Sequence, residues 1–168
     1  MDVFLRLEVK EQDAVKMIGW LQNQNITKYL NEDVNSPYLL QKIIDDKRTD
    51  FLTYYLNQDG RFFLIDNEQG SIGFINLFTI IAKKEYEVVI AIGDEINWGK
   101  KYAKKALEKI VKEVFYNWRI NRLNAKIHVD NHRSINLFEH LGFVKSKTDN
   151  DYHYYSLNER TVFSNIYH

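Results

Sequence analysis

The 168-residue sequence contains no cysteine and only one proline, Pro37. The first absence removes disulfides, zinc–thiolate sites and thiol nucleophiles together, and it fits a reducing compartment. Net charge is lacking too: 23 lysines and arginines stand against 23 aspartates and glutamates. Nothing in the total therefore points to nucleic acid or an anionic membrane as a partner, and any basic function must be local. No apolar run approaches the length of a membrane span, and the opening MDVFLRLEVKEQD lacks the basic start and apolar stretch of a signal peptide. A cytoplasmic protein is expected. Neither G-x-x-x-x-G-K-[ST] nor G-x-G-x-x-G occurs, which argues against a nucleotide hydrolase and a dinucleotide dehydrogenase. There is no G-x-S-x-G elbow and no H-E-x-x-H. His128 and His132 are four apart, but the first falls in a strand pattern, so they do not share a helix face, and no metal is expected.

What is present is a 45% hydrophobic, 14% aromatic chain, enough for one substantial core and too short for two comfortable domains. One domain over 1–168 is expected. VFLRLEV at 3–9 alternates as a strand does, and a helix over 11–24 would put Val15, Ile18 and Leu21 on one side. Residues 25–58 read as mostly helical, with Pro37 near a helix start. RFFLID and SIGFINLFTII, joined at NEQG, read as a strand pair. EVVIAIG at 87–93 is apolar on both faces, as an interior strand should be. A helix follows in which Ala103, Ala106, Leu107, Ile110, Val111, Val114 and Trp118 recur at helical spacing. LNAKIHV at 123–129 reads as a strand, SINLFEHLGF at 134–143 as a helix stopped by Gly142, and FVKSK and DYHYYSL as closing antiparallel strands. One mixed sheet flanked by helices is the expected α/β (α+β) architecture.

The stretch INWGKKYAKKAL, residues 96–107, crowds Lys100, Lys101, Lys104 and Lys105 around the start of a helix. Unpaired N–H groups and the macrodipole make that end positive already, so ammonium groups are unfavourable there unless an anion is bound. Strand, glycine-containing loop and helix start is also the arrangement that builds an anion site. Two readings stay open on this stretch alone: a polyphosphate site, or a solvated lysine-rich face.

The segment Trp98-Gly99-Lys100-Lys101-Tyr102-Ala103-Lys104-Lys105-Ala106 resembles the pyrophosphate loop of the GNAT superfamily of N-acetyltransferases, [Q/R]-x-x-G-x-[G/A], seen in many bacterial members as W-G-K-G-Y-[A/G]-x-x-A. Lys101 stands where the family carries glycine, and Trp98 where Gln or Arg is usual. A second stretch, VDNHRSINLFEHLGF at 129–143, resembles the family's N-x-x-[S/A]-x-x-L-[Y/F]-E-x-x-G-F, with Asn131, Ser134, Phe138, Glu139, Gly142 and Phe143 in register. The two motifs follow in the family's order. The resemblance covers residues 60–157 well and the N-terminal helices only in outline.

It implies a mostly antiparallel GNAT-like sheet with a splayed strand pair forming an acetyl-CoA cleft, and direct acetyl transfer to a primary amine, either a small molecule or a peptide terminus. Acetyl-CoA is then a co-substrate, and no metal or nucleic acid is involved. The backbone from Gly99 through Lys100, Lys101, Tyr102 and Ala103 to Lys104 would hold the pyrophosphate. Ala91 and Ile92 would pair with the pantetheine arm, and Asn131, Ser134 and Asn136 would contact the cofactor from the other side. For Asn131 the competing reading is a helix cap. An alkylamine of pKa about 10.4 needs roughly 4–5 kcal/mol to reach its neutral form at pH 7, so a base is useful. By resemblance Glu87 is the candidate; the alternative is an exposed strand-end glutamate. Relatives often place an acidic tyrosine where this chain has Phe138, which can pack against pantetheine but cannot protonate a thiolate. Tyr154 and Tyr155 are substitutes, against the reading of Tyr152, Tyr154 and Tyr155 as ordinary strand residues. Asp33, Asp45, Asp46 and Asp50 could draw a polyamine. Family members often pair, so a homodimer is among the expected assemblies. Lys101 and Phe138 also keep open an acyl-CoA binder without turnover, acting as a sensor or scaffold.

Overall fold

The computed structural model describes residues 1–30, 36–80 and 84–164. In chain order the elements are β1 (Phe4–Arg6), α1 (Glu11–Gln22), α2 (Gln24–Thr27), α3 (Ser36–Asp45), α4 (Leu52–Leu56), β2 (Gly60–Asn67), β3 (Gly70–Ile80), β4 (Glu85–Ile92), α5 (Tyr102–Lys112), β5 (Arg122–His128), α6 (His132–His140), β6 (Val144–Thr148), β7 (Tyr152–Asn158) and α7 (Glu159–Ser164). The strands form one sheet in the order β1-β2-β3-β4-β5-β7-β6. β4 runs parallel to β5, with Glu85, Tyr86 and Glu87 opposite Arg122, Leu123 and Asn124. β1 and β2, β5 and β7, and β6 and β7 pair antiparallel. The mixed, mostly antiparallel sheet with flanking helices is the expected architecture.

The chain divides into two compact units, Met1–Asn76 with Val89–Ala106, and Leu77–Val88 with Leu107–His168. In the first, Val9, Ala14, Met17, Trp20, Leu40, Leu52, Phe62, Leu64, Phe74 and Ala91 form a core, with Phe62 and Phe74 stacked 5.5 Å apart. β1 is shorter than the 3–9 expected. Beyond Arg6 the backbone leaves the ladder, and the Val9 N–H donates to the Thr53 hydroxyl at 2.9 Å.

The inward face of α1 also differs from expectation. Asp13, Ala14, Met17 and Trp20 are buried, whereas Val15 is 56% exposed and Ile18 and Leu21 are only half-buried. Asp13 turns the helix this way. Its carboxylate accepts from Arg6 Nη1 at 2.8 Å, Arg6 Nη2 at 3.1 Å, the Lys10 N–H at 2.9 Å and the Ser71 hydroxyl at 3.1 Å. Arg6 Nε reaches Asp66 at 2.6 Å. Burial pushes the Asp13 carboxyl up, but these donors, Arg6 foremost, hold it below the ordinary aspartate range.

In the second unit β5 and β7 bury Leu123, Ala125 and Ile127 with Tyr155 and Leu157, and α6 adds Phe138. Each large aliphatic side chain so buried stabilises by about 1.5–3 kcal/mol. Along α5 the residues Tyr102, Ala106, Leu107 and Ile110 are buried, one apolar stripe. The helix then widens into a π-turn at Glu113–Asn117 that buries Val114 and Phe115, and Trp118 falls beyond it, outside the regular helix expected. α6 starts two residues earlier than expected, at His132, and Gly142 takes the left-handed conformation after it, with φ +92°.

Candidate active site

β4 ends at Ile92 and hands the chain to a short connection before α5. Two contacts within the first unit fix how it leaves the sheet. Gly93 donates its N–H to the Ile72 carbonyl at 2.7 Å. The Trp20 ring lies on Gly93 so closely that a Cβ there would sit 2.1 Å from ring carbons, and its indole donates to Asp94 Oδ1 at 3.1 Å. Glu95 then accepts from the side-chain amides of Asn23 at 3.3 Å and Asn25 at 2.9 Å. Neither glycine motif nor periodicity singles out Gly93 or Trp20 in the sequence; the signal is a close approach between residues far apart along the chain.

The loop itself carries Gly99 at φ +74° and Lys101 at φ +65°. Lys101 thus adopts the left-handed conformation natural to the glycine it replaces, at a cost of about 1–2 kcal/mol for an L-residue. A Cβ on Gly99 would meet nothing within 4 Å, so the backbone there is open to approach. Lys100 and Lys101 are exposed and precede α5 rather than belonging to it; Lys104 and Lys105 lie half-buried in its first turn. No acidic residue occupies that turn. Lys105 N–H bonds back to the Lys101 carbonyl at 3.1 Å, while helix geometry leaves the N–H groups of Tyr102 and Ala103 without intrahelical acceptors. Tyr102 is 4% exposed, its hydroxyl on Met1 Sδ at 3.1 Å, and the Lys105 ammonium donates to the Met1 carbonyl. A positive dipole end, open backbone and several cations fit a polyphosphate.

Ala91 is buried, and its carbonyl lies against β3, 2.2 Å from where a Gly73 Cβ would be. The Ile92 carbonyl accepts from the Trp98 indole at 3.0 Å.

The other expected site residues belong to the second unit. Glu87 is half-buried on β4, opposite Asn124. Burial pushes its carboxyl above the ordinary glutamate range, and the charge of Lys126 pulls the other way. Asn131 caps α6: its side-chain oxygen accepts from the Ser134 N–H at 3.3 Å, and its amide donates to the Ser134 hydroxyl at 3.0 Å. Asn136 is exposed. Phe138 is 3% exposed and packs edge-on against Phe143 at 4.9 Å. Neither substitute acid has a free phenol. Tyr155 is a buried strand residue donating to Glu139 at 2.8 Å; burial first, and then that bond, pushes it up to about 12. Tyr154 donates to Asp149 at 2.9 Å and is also raised, chiefly by that bond. Among the described residues no group of three or more His, Asp or Glu could hold a metal ion, and no helix is long and apolar enough to cross a membrane. Asp45, Asp46 and Asp50 are exposed, and Asp33 lies outside the described residues.

Residues 3–144 match the acetyltransferase (GNAT) domain family. The chain belongs to that family. The match starts at the N-terminal strand, so it takes in the helices that the two sequence motifs leave out. An uncharacterized N-acetyltransferase p20 of Bacillus licheniformis is 27% identical over 146 residues, 84% of this chain and 79% of its own length. The fold is similar to that of a spermidine N-acetyltransferase from Vibrio cholerae, whose crystal structure holds CoA and spermine (TM-score 0.77, 19% identity, 96% of this chain and 98% of that one). It is also similar to a GNAT-family acetyltransferase from Bacillus anthracis (TM-score 0.76, 17% identity, 95% and 96% covered). The protein is an acyltransferase.

Proposed function

We propose that this GNAT enzyme transfers the acetyl group of acetyl-CoA directly to a primary amine. The observation that carries the reading is the loop before α5, where Gly99 and Lys101 are both left-handed and lysines surround a helix start without a first-turn carboxylate. The backbone from Gly99 to Lys104 and the ammonium groups of Lys100 and Lys104 take the pyrophosphate. Ala91 and Ile92 are the proposed partners of the pantetheine arm, and Asn131, Ser134 and Asn136 are further proposed cofactor contacts. Bound acetyl-CoA supplies the thioester, whose thiolate, of pKa about 8.5 by analogy with cysteine, leaves near neutral pH without an acid. That fits a chain in which Phe138 replaces the usual tyrosine and both Tyr154 and Tyr155 already donate to carboxylates. Glu87 takes the amine proton, directly or through water; its raised pKa is closer to working pH than that of an ordinary glutamate.

Calorimetric titration with acetyl-CoA, with ATP and dephospho-CoA as controls, tests the first half. Saturable binding selective for acetyl-CoA is expected, and its absence at millimolar cofactor would overturn the reading. A panel of polyamines, amino-acid amides and peptides, scored by release of CoA thiol, tests the second. Spermidine and spermine belong in it because the Vibrio cholerae protein of similar fold carries spermine. Binding without release above slow hydrolysis would leave a sensor instead.

A further inference from the structure

Strand alternation brings one polar row together within the second unit. Glu87 stands opposite Asn124 across the parallel β4–β5 pair. Lys126, two residues along β5, shares the Asn124 face, and across the antiparallel β5–β7 pair it stands opposite Tyr154, with His128 opposite Tyr152. The Lys126 ammonium sits over the Tyr152 ring, 4.1 Å from its centroid, a cation–π contact that fixes a long, flexible side chain over this face. This row is not part of either sequence motif.

We propose that Lys126, held over Tyr152, is a positioning residue whose charge keeps Glu87 ionised and so able to accept the amine proton. The inference rests on the reading of Glu87 as the base. A half-buried carboxylate with no cation nearby retains its proton toward neutral pH and cannot take another. A fixed ammonium on the same face counters part of that desolvation, which still leaves the carboxyl above the ordinary glutamate range. Among the described residues, other charged groups share this face. Glu85, on the same strand, accepts from the Asn124 amide at 3.2 Å, and Arg122 stands opposite Glu85. His128 lies half-buried beside Tyr152, ring centroids 5.6 Å apart. Asp149 is satisfied by the Tyr152 and Asp151 N–H groups and by the Tyr154 hydroxyl, and Lys147 sits over the Tyr154 ring at 4.6 Å. Lys126 acts on Asp149 as well as on Glu87, so its field is shared between two carboxylates.

The test pairs a titration that needs no turnover with one that does. In protein labelled with 13C at the glutamate carboxyl, the Glu87 resonance is identified by its loss in Glu87→Gln and titrated in wild type, Lys126→Gln and Lys126→Arg; the pH dependence of kcat/KM is measured in parallel. In Lys126→Gln the Glu87 resonance should titrate about half to one pH unit higher, the acid limb of kcat/KM should move with it, and Lys126→Arg should restore both. An unmoved Glu87 titration overturns the role of Lys126 and leaves the base in place. A moved titration with an unmoved limb overturns it at the other end, because Glu87 is then not the group that takes the proton. Failure to acetylate any amine in the panel removes the proposed activity, and the role of Lys126 with it.

Discussion

Gly99 and Lys101, two residues apart in the loop before α5, both hold left-handed backbone conformations, at φ +74° and +65°. The lysine stands where the family carries glycine, yet its backbone does what glycine would. The substitution therefore changes the energy of the loop more than its path.

That energy is measurable. An L-residue in the left-handed region costs about 1–2 kcal/mol, and glycine returns roughly 0.5–1 of this as unfolded-state entropy. Lys101→Gly should therefore stabilise the protein by about 0.5–1 kcal/mol, a rise of about 1–4 °C in Tm. Lys101→Val, β-branched and ill-suited to positive φ, should lower stability by about 1 kcal/mol or more. Thermal melts of the two variants check both signs; a glycine variant less stable than wild type would mean that the conformation is not strained.

Gly93 and Trp20 make the second prediction. Because a Cβ on Gly93 would lie 2.1 Å from the indole carbons, Gly93→Ala should cost about 1–3 kcal/mol through overpacking. Acetyl-CoA affinity should fall as well, since the same indole holds Asp94 at the entry to the loop. In a Trp20→Leu background the alanine should cost markedly less, giving a coupling of about 1 kcal/mol or more in a denaturant-based double-mutant cycle. Simple additivity would show that the ring is not what excludes the methyl group.

Asp13 provides a pH prediction. Its folded-state pKa is held below the ordinary aspartate value, so the stability it contributes is present above that value and is lost as pH falls through the folded pKa. Asp13→Asn should flatten the acid side of the stability–pH curve below about pH 4, and should leave its slope near neutral pH unchanged. Arg6→Met should cost on the order of 3 kcal/mol at pH 7, because it leaves a carboxylate that is 3% exposed without its cation, held only by the Lys10 N–H and the Ser71 hydroxyl. Urea melts at stepped pH values measure both.

Which of these features could be read from the residues alone follows from their range. The strand-to-loop-to-helix run at 87–107 and the capped helix after Asn131 are local patterns, and local patterns carry their own spacing. The face of α1 was not readable, because Val15, Ile18 and Leu21 and the stripe Ala14, Met17 and Trp20 obey the same helical spacing one residue apart. Hydrophobicity favours the first; a buried Asp13 paired with Arg6, and a ring seated on Gly93, select the second. The same limit hid Lys126, whose relation to Glu87 depends on the register of two strand pairs. Asn131 could be read both ways, and its bond to the Ser134 N–H places it as a cap whatever else it touches.

The final prediction returns to the lysines. If the loop before α5 holds a pyrophosphate, Lys100→Glu and Lys104→Glu should each weaken acetyl-CoA binding by about tenfold, or 1.4 kcal/mol, because each replaces an attraction at the site by a repulsion. Lys112→Glu makes the same change in net charge at the exposed far end of α5 and should leave the affinity within about twofold. Raising the salt concentration should narrow the gap between wild type and the first two variants, since exposed charges are screened. Calorimetry on the three folded variants separates the readings: equal losses at Lys100, Lys104 and Lys112 would reduce the cluster to a general surface field, and no loss at Lys100 or Lys104 would return it to a solvated helix face.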